Sequence, residues 1–235
     1  MNGFLKAVAD AVFPPRFTCD LCGREIFDGG HFCKECAGRV SFNDGTTCPV
    51  CGRRTKAEGM CLECKAHSPA YDRAVSAMIY EDGGAAVILK FKRGGAYLKD
   101  YFAELLAPKC GCFDDADGVC YIPMTRRAER ERGYNQAELL ARALAERLHL
   151  PVVNALEKIK DTGEQKSLTR REREDNLRGC FRAERKIVAG RKLILTDDVM
   201  TTGATLEEAA RMLKRRGAAK VYAVTAASVE FKREI

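Results

Sequence analysis

Hydrophobic positions follow two different periods over the last two thirds of the chain. Over 135–148, four leucines fall on one side of a helix: Leu139, Leu140, Leu144 and Leu148. Short runs of consecutive apolar residues, which are typical of buried strands, separate this segment from its neighbours. The pattern predicts strands over 74–80, 118–124, 193–195 and 221–226, a short strand starting at Val152, and helices over 84–92, 97–106, 135–148 and 206–216. Because strands alternate with helices, we expect an α/β domain with a mostly parallel sheet.

The first fifteen residues predict an amphipathic helix that ends at Pro14-Pro15. Its apolar side either packs on the body of the protein or binds a partner. Asp10 interrupts the apolar stretch and no small-residue cleavage site follows, so we do not expect a signal peptide. The chain also lacks a run of about 18 apolar residues, so we expect no membrane span. These features predict a cytoplasmic protein.

The segment between these two parts is poor in hydrophobic positions and rich in cysteine. Eight of the 12 cysteines lie there, in four Cys-x-x-Cys pairs. The pairs repeat: Cys48 follows Cys19 by 29 residues, and Cys61 follows Cys33 by 28. The composition therefore divides the chain into an N-terminal helix over 1–15, a cysteine-rich segment over 16–68 and an α/β domain over 69–235.

The cysteine pairs have the spacing of zinc ligands. Disulfides are rare in the cytosol, and zinc takes four thiolates in a tetrahedron. The repeat favours two consecutive sites, although an interleaved pairing stays open. In the consecutive arrangement the ligands of one ion are Cys19, Cys22, Cys33 and Cys36, and those of the other are Cys48, Cys51, Cys61 and Cys64. A segment this small cannot bury enough core unaided, so we expect two structural Zn²⁺ ions.

The strongest chemical signal follows the predicted strand over 193–195. Two adjacent acids, Asp197 and Asp198, precede a short loop and the start of a helix, and the loop reads Thr201, Thr202, Gly203, Ala204 and Thr205. Backbone N–H groups at a helix N-terminus bind phosphate oxygens. Two carboxylates beside them can hold sugar hydroxyls or Mg²⁺. A phosphate held next to a diol describes a ribose 5-phosphate.

This stretch resembles the 5-phosphoribosyl 1-pyrophosphate (PRPP) motif of type I phosphoribosyltransferases. Three further stretches match in order: 122–127 is similar to the pyrophosphate loop, 132–137 to the Arg-Gly-aromatic-Asn-Gln-Ala signature, and 165–181 to the mobile loop. Over about residues 12 to 230 the chain resembles the ComF/ComFC family, which joins a double zinc ribbon to a type I phosphoribosyltransferase-like domain.

The resemblance implies specific roles. Asp197 and Asp198 would hold the ribose hydroxyls, residues 201–205 would cradle the 5-phosphate, and Arg126 and Arg127 would face the pyrophosphate, with Mg²⁺ assisting PRPP. The resemblance also implies a role in DNA uptake during natural transformation, with single-stranded DNA and other competence proteins, such as a DNA helicase, as partners. We nominate no catalytic residue, because no His or Glu is required as a base.

Charge distribution favours a phosphate-rich ligand more than net charge does. The formal net charge of +7 falls to +3 once eight thiolates (−8) and two zinc ions (+4) are counted. Residues 158–192, however, hold twelve Lys or Arg against six Asp or Glu. Such a cluster attracts PRPP or a nucleic-acid backbone. On the cysteine-rich segment, four basic residues could add a second DNA contact: Arg24, Lys34, Arg53 and Arg54.

Three functions remain open from the sequence. The first is a factor that handles incoming single-stranded DNA and carries a PRPP pocket. The second is an active phosphoribosyltransferase that acts on an unknown acceptor. The third is a module that senses PRPP without turnover.

Overall fold

The predicted strands form a parallel sheet in the computed structural model, which describes residues 17–160 and 176–230. Within those residues the sheet has four strands in the order β1-β6-β5-β2. Their bounds are Arg73–Ile79 (β1), Gly118–Tyr121 (β2), Lys192–Met200 (β5) and Lys220–Ser228 (β6). A separate antiparallel pair is formed by Glu157–Lys158 (β3) and Phe181–Arg182 (β4). The predicted strand at Val152 is reduced to one parallel bridge with Val119.

Helices cover both faces of the sheet. The helices Asp82–Lys92, Leu98–Leu106 and Gln136–Leu148 bury their apolar sides on one face, and the helix Ala204–Arg215 packs on the other. Shorter helices are Lys34–Ala37, Leu62–Ala66, Arg126–Arg132 and Arg185–Val188, with a 3-10 turn at Pro108–Cys112. Among the described residues, none of the helices combines the length and apolar character that crossing a bilayer requires.

The helix Arg126–Arg132 was not predicted. Its sequence is almost entirely charged and its side chains are exposed or partly exposed, so it lacks an apolar period. Local signals nevertheless bound it: the Thr125 hydroxyl accepts a hydrogen bond from the Ala128 N–H, and Gly133 ends it with a φ of 88°.

The cysteine-rich segment forms two similar small units. The first ribbon (residues 17–38) and the second ribbon (residues 46–66) each contain one antiparallel bridge, Thr18–Glu25 and Thr47–Arg54. The first ribbon has a small buried cluster of its own, made of three of its four cysteines and Ile26. The cysteines of the second ribbon instead belong to the cluster that includes Met200 and Leu206 of the α/β part.

The connections out of β2 and β5 diverge. From β2 the chain passes through the helix Gln136–Leu148 to Val152, away from β5. From β5 it passes through the helix Ala204–Arg215 to β6, on the other side. A crevice opens at the carboxyl ends of such neighbouring parallel strands, and ligands of open α/β sheets bind there. The loops after β2 and β5 meet this crevice.

Two predictions fall on residues outside the described ranges. These are the amphipathic helix over 1–15 and the greater part of the 165–181 stretch that was compared with a mobile loop.

Candidate functional site

The loop after β5 forms a small cradle. Strand β5 ends at Met200, and Gly203, with a φ of 83°, reverses the chain so that a helix can begin at Ala204. Gly203 offers no side-chain cap, and among the described residues only the Thr202 hydroxyl accepts from this first turn, from the Ala204 N–H over 3.3 Å. The other N–H groups of the first turn face the loop. A cavity of about 20 Å³ lies here, lined by Asp197, Val199, Met200, Thr201, Thr202, Gly203, Ala204, Thr205 and Leu206. The structure thus brings the predicted loop residues together with one of the two acids.

The two acids differ in their surroundings. The Asp198 N–H donates to Asp197 Oδ1 over 2.8 Å. Burial, together with the neighbouring Asp198 carboxylate, raises the pKa of Asp197 to about 7. Asp198 Oδ2 instead lies 3.0 Å from the ammonium group of Lys92. Asp197 therefore titrates near neutral pH, where it can both accept and donate hydrogen bonds, while Asp198 is paired with a cation.

Lys92 was missed as a site residue. It is the last residue of the helix Asp82–Lys92, more than a hundred positions from Asp198. The sequence predicted this helix, but its pattern contains no signal that the helix ends beside the carboxyl end of β5.

The signature over 132–137 connects the loops around the crevice. Asn135 Oδ1 accepts hydrogen bonds from the first turn of the helix Gln136–Leu148, and Asn135 Nδ2 donates to Ile122 O over 3.0 Å. The Thr196 hydroxyl donates to Ala137 O over 2.8 Å, and the Tyr134 hydroxyl donates to Phe91 O over 2.6 Å. The signature thus fixes the start of the β2 loop against β5 and against the helix that carries Lys92.

The two predicted pyrophosphate arginines lie on the helix that follows the β2 loop. Arg126 lines an open cavity of about 420 Å³ with Glu129, Arg130 and Gly133. Arg127 is exposed, and its Nε donates to Glu131 Oε1 over 2.9 Å. Neither arginine lines the small cavity at the β5 loop. The structure therefore places Arg126 at a second cavity and Arg127 on the surface outside both cavities.

Within the described ranges the structure groups the eight paired cysteines into two sets of four. The sets are Cys19, Cys22, Cys33 and Cys36, and Cys48, Cys51, Cys61 and Cys64, with all sulfur atoms of a set within 4.8 Å of one another. The Sγ atoms of Cys22 and Cys33 are 3.8 Å apart, and those of Cys51 and Cys61 are 3.7 Å apart. A Zn–S bond of about 2.3 Å gives a tetrahedron with edges of about 3.8 Å. Each set fits one zinc ion, and the grouping is consecutive rather than interleaved.

The prediction of a DNA-contacting surface on both ribbons is wrong for the second ribbon. Arg24 and Lys34 are exposed on the first ribbon. Arg53 is 5% exposed, and Arg54 is partly buried and donates to Phe42 O. Buried guanidinium groups that bond within the protein are not available to a nucleic-acid backbone.

Comparisons with known proteins match two families along the chain. Residues 8–65 match the double zinc ribbon domain family, and residues 134–234 match the phosphoribosyl transferase domain family. The DNA utilization protein YhgH of Escherichia coli (strain K12) is 34% identical, over 86% of this chain and 93% of that protein. Competence protein ComFC of Bacillus subtilis (strain 168) is 29% identical over 87% of this chain and 88% of that protein, and competence protein F of Haemophilus influenzae is 25% identical over 80% and 93%.

Among solved structures, one similar chain is a glutamine PRPP amidotransferase from B. subtilis complexed with ADP and GMP. The TM-score is 0.41 at 21% identity, covering 60% of this chain. This chain spans only 27% of the length of that enzyme.

Proposed function

This chain belongs to the family of double zinc ribbon and phosphoribosyltransferase-domain proteins that includes YhgH, ComFC and competence protein F. We propose that it handles single-stranded DNA in competence and binds PRPP or ribose 5-phosphate. The observation that carries the ligand proposal is the acid pair of β5 beside the start of the helix Ala204–Arg215. We assign Asp197 and Asp198 to the ribose hydroxyls and residues 201–205 to the 5-phosphate.

The chemistry of the two acids supports this assignment. A ribose diol donates two hydroxyl protons and therefore needs two acceptors. Because its pKa lies near 7, the Asp197 carboxyl can accept such a hydrogen bond when it is ionised and can also donate one when it is protonated. Lys92, paired with Asp198, keeps a positive charge next to a ligand that is itself anionic. Mg²⁺ held at the acid pair would offset the negative charge of PRPP, and the exposed side chains of Arg126 and Arg127 would attract its pyrophosphate group.

Titration calorimetry with PRPP and Mg²⁺ tests the proposal. The double variant Asp197→Asn with Asp198→Asn should bind at least tenfold more weakly, because one acceptor oxygen of each carboxyl is replaced by an amide NH₂ group that cannot accept a hydrogen bond. The variant Asp100→Asn, which changes an exposed acid on the helix Leu98–Leu106, is the matched control and should bind like the wild type. Equal affinity in the double variant and the control would remove the ligand from this loop.

Turnover of PRPP is the second candidate function. It is supported by the match of residues 134–234 to the phosphoribosyl transferase domain family. Pyrophosphate release, measured with a panel of acceptors, separates a transferase from a PRPP-sensing module. Release that depends on the acceptor would establish transfer, and PRPP binding without release would establish sensing.

For DNA we propose an electrostatic contact at the helix Arg126–Arg132, which presents four arginines against two glutamates on the surface. Binding of this kind releases counterions, so affinity falls steeply with salt. Arg126→Glu with Arg130→Glu should weaken the binding of a labelled single strand in fluorescence anisotropy. Arg215→Glu with Arg216→Glu, on exposed arginines at the far end of the helix Ala204–Arg215, is the control. Binding that does not change with salt would rule out this contact.

We place this activity in the cytoplasm, where reduced cysteines are available to hold zinc. Other competence proteins, such as a DNA helicase that delivers or receives the strand, are the partners that this role implies.

A further inference from the structure

An Arg–Glu ion pair recurs in both copies of the internal repeat. Arg24 and Arg53 each follow the second cysteine of a Cys-x-x-Cys-Gly turn by two positions, and Glu35 and Glu63 each lie inside the second Cys-x-x-Cys of their ribbon. Arg24 Nη1 lies 3.0 Å from Glu35 Oε2, and Arg53 Nη1 pairs in the same way with Glu63 Oε2. The pair is therefore a feature that the two copies of the ribbon share.

The two copies now have opposite exposure. In the first ribbon the side chains of Arg24 and Glu35 are 59% and 72% exposed. In the second ribbon the side chain of Arg53 is 6% exposed and that of Glu63 is 33% exposed. Burying a guanidinium is costly unless its donors are paired, and within the described part of the chain Arg53 Nε has no partner. Contacts outside the ribbon must therefore help to offset the cost of burying Arg53.

The second arm of Arg53 reaches the candidate ligand loop. Arg53 Nη2 donates to the carbonyl oxygen of Thr201 over 2.8 Å. A Cβ added to Gly203 would lie 3.5 Å from the same nitrogen. Just after the ribbon, the Ala70 N–H donates to Glu207 Oε2 over 2.7 Å. The second ribbon thus lies directly behind the loop and the first turn of its helix, with Arg53 at the contact.

The planarity of the peptide bond links the Arg53–Thr201 contact to the direction of the next N–H group. In a trans peptide the C=O of one residue and the N–H of the next point in opposite directions, and cis peptides are absent from the described ranges. Because Arg53 holds the Thr201 carbonyl toward the ribbon, the N–H of Thr202 points away from the ribbon. Thr201 and Thr202 both line the small cavity. The ribbon therefore fixes the orientation of a backbone donor of the cradle.

We propose that Arg53 is a positioning residue for the loop 201–205, so that the second ribbon, and not the first, is a structural part of the phosphate-binding site. This inference rests on the proposed binding of a ribose 5-phosphate at that loop. Arg53 lies behind the loop and is not a ligand-contacting residue. It acts by holding the Thr201 carbonyl while Glu63 holds Arg53.

The internal repeat supplies the matched control for a test. Arg53→Ala and Arg24→Ala remove the same side chain from equivalent positions of the two ribbons. Three measurements are made on each full-length variant: zinc content, calorimetric affinity for ribose 5-phosphate, and hydrogen exchange of the peptide that covers residues 199–206 without ligand.

We expect both variants to keep two zinc ions. Arg53→Ala should bind ribose 5-phosphate about tenfold more weakly, since a hydrogen bond from a charged donor to the loop is lost. Its 199–206 peptide should also exchange faster. Arg24→Ala should match the wild type in affinity and exchange. Equal affinity and equal exchange in the two variants would overturn the proposal.

A variant that loses zinc requires a second substitution. Arg53→Lys keeps a positive charge beside Glu63 but loses the fork that reaches both partners. If Arg53→Ala releases a zinc ion, Arg53→Lys should keep both ions and still weaken ligand binding, and full affinity in this variant would refute the positioning role. If the wild type does not bind ribose 5-phosphate, the proposed function fails, whereas the exchange comparison still decides whether Arg53 orders the loop.

Discussion

Replacing Asp197 with asparagine should stabilise the protein at pH 8 although it removes a proposed ligand contact. Native Asp197 keeps its proton up to about pH 7, whereas an aspartate in the unfolded chain loses it near pH 4. Between these values the native state binds more protons than the unfolded state, so this residue makes folding less favourable as the pH rises. Asparagine has the same shape and carries no charge at any of these pH values.

The magnitude follows from the shift. A pKa that moves from about 4 to about 7 lowers the free energy of unfolding by roughly 4 kcal/mol above pH 8 and by about 1.5 kcal/mol at pH 5, relative to an uncharged side chain. Solvent near this half-buried group reduces both values. We therefore expect Asp197→Asn to gain about 2 kcal/mol more at pH 8 than at pH 5. For a chain of this length that corresponds to a difference of roughly 4–8 °C in the shift of the melting temperature.

Differential scanning calorimetry of the wild type and Asp197→Asn at pH 5 and pH 8 measures this difference. Asp198→Asn provides a second arm: it removes the charge that helps to raise the pKa of Asp197, so the pH dependence should become weaker. A shift in melting temperature that is the same at both pH values, or a variant that is less stable than the wild type at pH 8, would show that the pKa of native Asp197 is not raised.

Three further predictions concern the metal sites, a cap and the lysine at the site. Cys48→Ser should lower the zinc content measured by elemental analysis from two ions per chain to one, and joint loss of both ions would contradict independent sites. Asn135→Ala should lower the free energy of unfolding by about 1–2 kcal/mol in urea denaturation, because a helix cap and the bond to Ile122 O are lost. The exposed Asn154→Ala is the control, and equal stability of the two variants would contradict the assigned bonds. Lys92→Met should weaken calorimetric PRPP binding several-fold, and unchanged affinity would exclude Lys92 from the site.

The sequence predicted the strands and long helices because their apolar periods are strong. The strand at 193–195 and the helix starting near 206 bounded the loop between them, so the loop residues could be named in advance. The arginine-rich helix Arg126–Arg132 could not be predicted in this way, since its side chains bury no apolar face.

Other features of the site depend on tertiary packing, which no local pattern reports. Lys92 meets Asp198 only because a helix end and a strand end share one edge of the sheet. Arg24 and Arg53 are equivalent in the repeat, and only the packing of the second ribbon against the β5 loop buries one of them. Arg53 was accordingly assigned to a DNA surface when it lies inside the protein.

A crystal structure of the full chain with ribose 5-phosphate would locate the ligand. We predict phosphate density within hydrogen-bond distance of backbone N–H groups of the loop 201–205, with the ribose hydroxyls at Asp197 and Asp198. Density for the ligand only in the cavity beside Arg126 and Arg130, with the loop 201–205 empty, would contradict this prediction.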